Sequence, residues 1–226
     1  MRTDFVLFGP VHLAIMAAVP LVAALLMWPA RAELALGRRI RLAAGWFLLI
    51  NELVWYGYKL KLEGSPFPQY MPFQLCDLSL WLTIISLLTL RAWLFDAAWY
   101  AGLAGASMAV LTPELWAPTF SYPTAYFFTA HGGIISCLLF LVWSKQARPR
   151  PGSMWRGLIV LNGWGAFVGA FNALYGTNYM FLCHKPSAAS LLDYLGPWPA
   201  YLLAGEALAV FFFFLLWLPF RRPAPR

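Results

Sequence analysis

Seven apolar stretches, separated by short polar connections, run through the chain. Each is about 18 residues or longer, which is the length a helix needs to cross the hydrocarbon core of a bilayer. We therefore predict an all-α membrane protein with seven transmembrane helices, folded as one domain over residues 1–226. The predicted spans are 5–28, 40–60, 71–90, 95–112, 122–143, 155–178 and 199–220.

Polar residues interrupt six of the seven stretches, and nearly all of them lie at a similar depth toward the same side of the membrane. Ionisable groups in hydrocarbon are costly and usually mark a functional site. A shared depth on separate helices predicts that these side chains line one cavity. They are His12, Asn51, Glu52, Gln74, Cys76, Asp77, His131, Asn172, Asn178 and Glu206.

The composition agrees with a membrane protein, since 62% of the residues are hydrophobic, 11% are charged and the mean hydropathy is +0.67. The first stretch resembles a signal peptide, with a small-residue motif at residues 30–32. Its apolar run is longer than the usual core of about 7–15 residues, and Asp4 precedes it. We expect the first stretch to remain as a true span.

The basic residues are distributed unequally between the two sides that seven spans define. One side receives 12 of the 16 Lys and Arg residues and the other receives 4. This bias places the N-terminus outside and the C-terminus in the cytoplasm. The net charge of +7 then fits an anionic inner leaflet rather than nucleic acid.

Cys76 is the first candidate for chemistry. It falls in the first turns of the third span, where the helix dipole favours a thiolate. The alternative is a small buried residue, but the polar neighbours Gln74 and Asp77 favour a function. Cys137 lies in mid-helix and is expected to pack as a hydrophobic residue. A disulfide between Cys76 and Cys183 is geometrically conceivable.

His131 is the second candidate, because Gly132 and Gly133 follow it and leave space beside the ring. It would act as the general base of a Cys–His pair, or alternatively as a hydrogen-bonding link between helices. Glu52 and Asp77 would orient an imidazole or belong to a structural polar network. For His12 and Glu206 a structural and a site-lining role are equally open.

Metal binding is the competing chemical interpretation. His12, Glu52, Cys76, Asp77 and His131 are all potential zinc ligands. No pair of them has the i, i+3 or i, i+4 spacing of a helical metal motif, so we predict neither a metal nor another cofactor.

The connection over residues 181–198 is the longest one predicted outside. A short helix is expected from Ser187, its cap, to Leu195, before the stop signal Gly196-Pro197. Because it is apolar but too short to span the membrane, we predict that it covers the outer mouth of the cavity as a partial lid.

Several motifs resemble those of the bacterial YwaF-type integral membrane proteins. They are NELVWYGY (51–58), PFQLCDLS (72–79), LTPEL (111–115), GTNYMFL (176–182), KP (185–186) and LDYLGPWP (192–199). That family is similar to eukaryotic transmembrane protein 164, a cysteine-dependent acyltransferase that moves fatty acyl chains between phospholipids.

The resemblance implies a membrane enzyme with Cys76 as nucleophile and His131 as its histidine. A phospholipid would donate the acyl group through a thioester, and a lysophospholipid or water would accept it. The alternative is a non-catalytic lipid- or solute-binding protein or a small transporter. The inner halves of the spans are almost purely apolar, which disfavours a transport path.

Overall fold

The computed structural model describes residues 5–64, 67–186 and 191–221. The described chain is helical and contains no strand. Short 3-10 helices lie at Tyr179–Phe181, Leu191–Leu195 and Leu218–Phe220. The α-helices are α1 (Pro10–Ala32), α2 (Leu34–Glu63), α3 (Leu75–Thr89), α4 (Ala92–Leu111), α5 (Tyr122–Trp143), α6 (Ser153–Tyr175) and α7 (Ala200–Trp217). These helices confirm the predicted all-α fold with seven long helices.

Five of the helices, α1, α4, α5, α6 and α7, are long and apolar enough to cross a membrane. Helix α2 has 30 residues but carries Arg38, Arg39 and Arg41 near its start and Lys59 and Lys61 near its end. Helix α3 is apolar but has only 15 residues. The chain is therefore an integral membrane protein with five helices of typical spanning length and composition, which α2 and α3 lack.

Several predicted boundaries were wrong, and local backbone chemistry explains the differences. Helix α1 begins at Pro10 rather than at residue 5, because proline suits a first helical turn. Helix α3 begins at Leu75 rather than near Pro72, with Gln74 as its N-cap. Helix α6 ends at Tyr175, since Gly176 has a left-handed φ of 66°. Asn178 consequently lies in a loop and not in the sixth span.

Helix α4 forms the centre of the bundle and packs against α3, α5, α6 and α7. Its small residues allow this, because Ala97, Ala98 and Ala106 are buried with almost no exposed surface. At Gly102 a Cβ atom would lie 2.9 Å from Leu138 of α5. A larger residue there would push α5 away from α4.

The short α3 does not reach both surfaces of the bilayer. Its 15 residues span about 22 Å, against a hydrocarbon thickness of about 30 Å. Only Leu90 and Arg91 separate its end from the start of α4, so that end stays near one surface. We therefore expect the N-terminal end of α3, which carries Cys76, to lie below the opposite surface of a bilayer of that thickness.

Charged residues stabilise the end of the bundle at which α3 ends. We call this the basic end and the opposite end the site end. Asp96 of α4 is 0% exposed, and Arg150 Nη2 and Arg156 Nε lie 2.8 and 3.0 Å from its carboxylate. Arg41 of α2 is buried and donates a hydrogen bond to the carbonyl oxygen of Leu87 in α3. These contacts satisfy a buried carboxylate and a terminal helix carbonyl.

The first prediction concerns topology. We expect reporter fusions to place the N-terminus outside and the C-terminus in the cytoplasm, because the basic end carries the excess of arginine. Enzymatic reporters that are active on only one side of the membrane, fused at each end, measure this. Both termini on the same side would contradict seven crossings.

Candidate functional site

Packing contacts place parts of α2, α3 and α5 at the same height in the membrane. A Cβ atom on Gly45 of α2 would lie 3.1 Å from Leu87 Cβ of α3, which sets the register of the two helices. Glu52 lies seven residues beyond Gly45, and Cys76 lies eleven residues before Leu87. Because the two helices run in opposite directions, Glu52 lies about 10 Å and Cys76 about 16 Å from that contact toward the site end.

A close contact with α2 fixes the height of α5 in the bundle. A Cβ atom on Gly133 would lie 2.7 Å from Leu48 Cδ2, so these two positions are at one height. His131 lies about 3 Å and Glu52 about 6 Å further toward the site end. Glu52 and His131 therefore lie within about 3 Å of one another in height, and Cys76 lies about 6 Å beyond Glu52 toward the site end, on three helices that pack together.

Glu52 is the most deeply buried acidic residue of this region, at 0% exposed. The Tyr126 hydroxyl of α5 donates a hydrogen bond of 2.5 Å to its Oε2 atom. The other oxygen, Oε1, has no hydrogen-bond partner. The Tyr126 ring stacks on Trp55, with centroids 4.1 Å apart. Glu52 is thus held by tyrosine and does not orient the imidazole of His131.

Tyr56 lies one helical turn beyond Glu52 on the same face of α2. Its hydroxyl lies close to Glu52 and Trp81, but it makes no hydrogen bond of acceptable geometry. The side-chain nitrogen of Asn51 is also buried without a partner. Unpaired buried polar atoms are uncommon in proteins and call for an explanation.

Cys76 is half-buried in the first turn of α3, and its thiol is free. The other two cysteines, Cys137 and Cys183, are also free thiols, so the conceivable disulfide between Cys76 and Cys183 is not formed. Asp77 accepts a hydrogen bond of 2.9 Å from the backbone N–H of Gln74. Asp77 therefore caps α3 and, like Glu52, does not contact His131.

His131 is half-buried, and its Nδ1 atom lies 2.8 Å from the carbonyl oxygen of Phe127. Because a carbonyl only accepts, Nδ1 carries the proton and donates it. In the neutral ring Nε2 is then the proton acceptor, which is the tautomer a general base needs. His131 and Cys76 share no hydrogen bond in the described part of the chain, so their pairing stays a prediction.

Two loops cover the N-terminal end of α3. Tyr179 joins them, because its hydroxyl accepts from the N–H of Met71 at 2.8 Å and donates to the carbonyl of Pro68 at 2.7 Å. Burial raises the pKa of Tyr179, which keeps it a neutral hydroxyl. The Gln74 side chain accepts from the N–H of Met180 at 2.9 Å. Gln74 therefore ties the second loop to α3, two residues before Cys76.

Asn172 and Asn178 shape the second loop rather than line a cavity. Asn172 is buried and bonds both the N–H and the carbonyl of Tyr179. Asn178 accepts from the N–H groups of Cys183 and His184 and donates to the carbonyl of His184. Both side chains hold backbone that no helix satisfies.

The backbone of this loop is strained directly beside Gln74. Met180 and Phe181 have φ values of 56° and 54°, a left-handed conformation that costs a non-glycine residue about 1–3 kcal/mol. Tyr201 of α7 donates to the carbonyl of Phe181, and Trp198 donates to that of Leu182. Neighbouring elements thus hold a conformation that the loop alone would not keep.

The segment predicted as a lid lies partly in the described structure. Residues 181–186 follow the loop that Gln74 holds, and a 3-10 helix at Leu191–Leu195 agrees with the end of the predicted short helix. Residues 187–190, including its expected cap, lie outside the described residues. The bond from Met180 to Gln74 joins the residue before this segment to α3, whereas a cover over Cys76 and a gating motion stay predictions.

His12 and Glu206 lie apart from this group. His12 is 0% exposed; its Nδ1 accepts from the N–H of Phe8, and its Nε2 donates to the carbonyl of Val110 at 2.7 Å. Glu206 accepts a hydrogen bond of 2.8 Å from Asn162 and joins α7 to α6. Both therefore act as links between elements, and neither is hydrogen-bonded to Glu52, Cys76 or His131 in the described residues.

An apolar groove of about 590 Å³ lies between α1, α2 and α5. It runs from Ile15 to Leu26 along α1, a length of about 16 Å. At its end nearest the site it is lined by Phe128, Thr129 and Gly132, the neighbours of His131. Its volume lies in the usual range for small-ligand pockets, about 300–1,000 Å³.

No three His, Cys, Asp or Glu side chains lie close enough together to hold a metal ion, within residues 5–64, 67–186 and 191–221. The carboxylates and imidazoles of the region are instead bonded to tyrosine, to backbone or to each helix's own turns.

A comparison of the sequence with models of protein families shows to which family the chain is related. The model of the TMEM164 family matches residues 7–217. The chain belongs to the TMEM164 family. Comparisons with curated proteins and with solved structures give no significant match. The relationship to transmembrane protein 164 predicted from the motifs is confirmed.

The motifs that carried the resemblance meet in space in this TMEM164 family member. Residues 72–79 hold Cys76, and 176–182 form the loop bonded to Gln74. Trp198, from the motif at 192–199, bonds the end of that loop at Leu182. Tyr56, from the motif at 51–58, lies at the height of Cys76. Segments far apart in sequence thus build one region.

Sequence reasoning missed Tyr126 and the hydroxyl of Tyr56. Aromatic residues near helix ends usually mark the membrane interface, which hid their proximity to Glu52. The sequence did contain one indication of a shared role, because Tyr122 and Tyr126 are four residues apart and share a helix face. The buried Asp96 and its two arginines were also missed.

The second prediction concerns the cover over Cys76. Tyr179→Phe removes two hydrogen bonds between the loops, which costs about 1–2 kcal/mol and increases opening roughly 5- to 30-fold. In a Cys183→Ser background, we expect faster labelling of Cys76 by a water-soluble maleimide. Tyr194→Phe, at an exposed position, is the control. Equal labelling rates in both variants would show that these loops do not shield the thiol.

Proposed function

We propose that the protein is a cysteine-dependent phospholipid acyltransferase of the membrane. The proposal joins the activity implied by the resemblance to one structural observation. The first turn of α3, with Cys76, lies at the site end of a helix that packs against the helix of His131, and a bonded loop adjoins it at Gln74. A nucleophile in this place meets the ester bonds of a lipid rather than bulk solvent.

In the first step, His131 Nε2 takes the thiol proton of Cys76, directly or through one water. The thiolate attacks the carbonyl carbon of a phospholipid ester and forms a thioester, and the lysolipid leaves with the proton from His131. In the second step, a lysophospholipid hydroxyl gives its proton to a base of the site and attacks the thioester, and the released thiolate takes that proton back. Water in place of that hydroxyl would give hydrolysis.

The N-terminus of α3 supports the chemistry at the sulfur and at the ester oxygen. Free backbone N–H groups of a first turn and the positive end of the helix dipole favour a thiolate and a developing oxyanion. The Asp77 carboxylate opposes this effect through its charge, but its bond to the N–H of Gln74 turns it toward the cap.

The apolar groove supports the binding of one acyl chain. Its length of about 16 Å matches one leaflet of the hydrocarbon core, about half of 30 Å. Its end at Phe128 and Thr129 adjoins His131, so a chain in the groove would present its ester near the site. The substrate is therefore a lipid of the leaflet at the site end, which we infer is the outer leaflet of a bacterial cytoplasmic membrane.

The third prediction tests the nucleophile. Cys76→Ala should lower acyl transfer at least about 10³-fold, because the attacking sulfur is lost. Cys76→Ser should recover little, since a hydroxyl ionises far less readily than a thiol. Transfer of a labelled fatty acyl chain between phospholipids by the purified protein in lipid nanodiscs measures both.

Cys183→Ser is the matched control, because Cys183 is an exposed thiol of the covering loop. We expect its activity to stay near that of the unmodified protein. Full activity of Cys76→Ala would overturn the thioester mechanism and favour the non-catalytic binding protein. Loss of activity in Cys183→Ser as well would point to the loop and not to a nucleophile.

The fourth prediction tests the groove. Ala18 lines it, whereas the adjacent Ala17 is equally exposed but does not. Ala18→Phe should lower transfer of long acyl chains roughly tenfold or more, with a smaller effect on short chains. Ala17→Phe should leave both rates unchanged. A uniform loss for all chain lengths would argue against acyl-chain binding in the groove.

A further inference from the structure

Around Glu52, polar atoms that are buried away from solvent lack hydrogen-bond partners. Glu52 is 0% exposed, and only one of its oxygens is bonded. An unpaired buried polar atom costs about 1–3 kcal/mol. The cost is greater for a carboxylate within the membrane. The fold maintains this arrangement because Tyr126 is fixed from the other side by its stack on Trp55.

The unpaired atoms form a complementary set. Glu52 Oε1 accepts hydrogen bonds, and the Tyr56 hydroxyl, one turn away, both donates and accepts. A group that fits both must donate one hydrogen bond and accept another. An alcohol hydroxyl does this, whereas a phosphate or a carboxylate would be repelled by Glu52.

We propose that Glu52 and Tyr56, supported by Tyr126, bind the hydroxyl group of the acyl acceptor. This inference rests on the proposed function and assigns its second step to a place in the structure. Tyr56 lies eleven residues beyond Gly45 and Cys76 eleven residues before Leu87, so the two lie at one height on helices that pack together. A glycerol hydroxyl bonded to Tyr56 and to Glu52 Oε1 is then near a thioester carbonyl on Cys76.

In this transfer step an ester bond forms and the thioester bond breaks. The hydroxyl oxygen forms a bond to the thioester carbonyl carbon, and its proton passes to Glu52. The carbon–sulfur bond breaks, Cys76 leaves as a thiolate, and the proton moves from Glu52 to the thiolate. Tyr126, which donates to Oε2, stabilises the carboxylate before the proton arrives and is a positioning residue.

The experiment separates the two half-reactions. A phospholipid with an alkyne-tagged acyl chain is mixed with the purified full chain in nanodiscs, and the hydroxylamine-sensitive acyl-enzyme is measured. A lysophospholipid is then added, and the decay of the acyl-enzyme is followed. Glu52→Gln should form acyl-enzyme within about threefold of the normal rate. It should then transfer the chain to the lysophospholipid about 100-fold or more slowly.

Tyr126→Phe should slow the same transfer step to a smaller degree. It also keeps the test valid if Glu52→Gln fails to fold. Tyr100→Phe is its matched control, because the Tyr100 hydroxyl is also buried and bonded, to Ser153 at 2.7 Å, but at the basic end. We expect Tyr100→Phe to have normal rates in both steps.

Normal decay of the acyl-enzyme in Glu52→Gln and Tyr126→Phe would overturn the assignment. A parallel loss of acyl-enzyme formation in folded Glu52→Gln would also overturn it, because Glu52 would then serve the first step. If the unmodified protein forms no acyl-enzyme, the proposed function itself fails. These results are distinguishable in one set of measurements.

Discussion

The short length of α3 is the constraint on which the arrangement of the site depends. A helix of 15 residues spans about 22 Å and cannot reach both surfaces of the hydrocarbon core. The bond from Arg41 to the carbonyl of Leu87 and the tight connection to α4 fix one end. The missing length therefore falls at the other end, where Cys76 lies.

Loops occupy the space above α3, and their backbone needs partners because little water is available there. Tyr179, Asn172 and Asn178 supply these partners, and Gln74 joins the loop to the helix. Most of the polar residues near the site thus satisfy backbone. This role separates them from Glu52 and Tyr56, whose free atoms have no such partner.

The region combines polar groups that restrain one another. Asp77 caps α3 beside Cys76, and Tyr126 binds Glu52 at the same level. Neither carboxylate is hydrogen-bonded to His131, whose Nδ1 donates instead to the carbonyl of Phe127. The proposed Cys–His chemistry therefore relies on a backbone carbonyl as the third member.

The sequence by itself determined the all-helical membrane fold and the number of long helices. Hydrophobic length is a property of each segment and needs no knowledge of its neighbours. It also singled out Cys76, Glu52 and His131, since polar groups in apolar helices are conspicuous. Depth along a helix follows from counting residues, so their similar height was predictable.

Only the tertiary structure decided which of these residues meet. Counting gives the height of a side chain but not the direction in which it points or the helix it faces. His12 and Glu206 have the right depth but bond Val110 and Asn162 in other parts of the bundle. Tyr126 was hidden among interface aromatics, yet it binds Glu52 because α2 and α5 approach at Leu48 and Gly133. Such contacts depend on packing between segments far apart in sequence, which no pattern within one segment encodes.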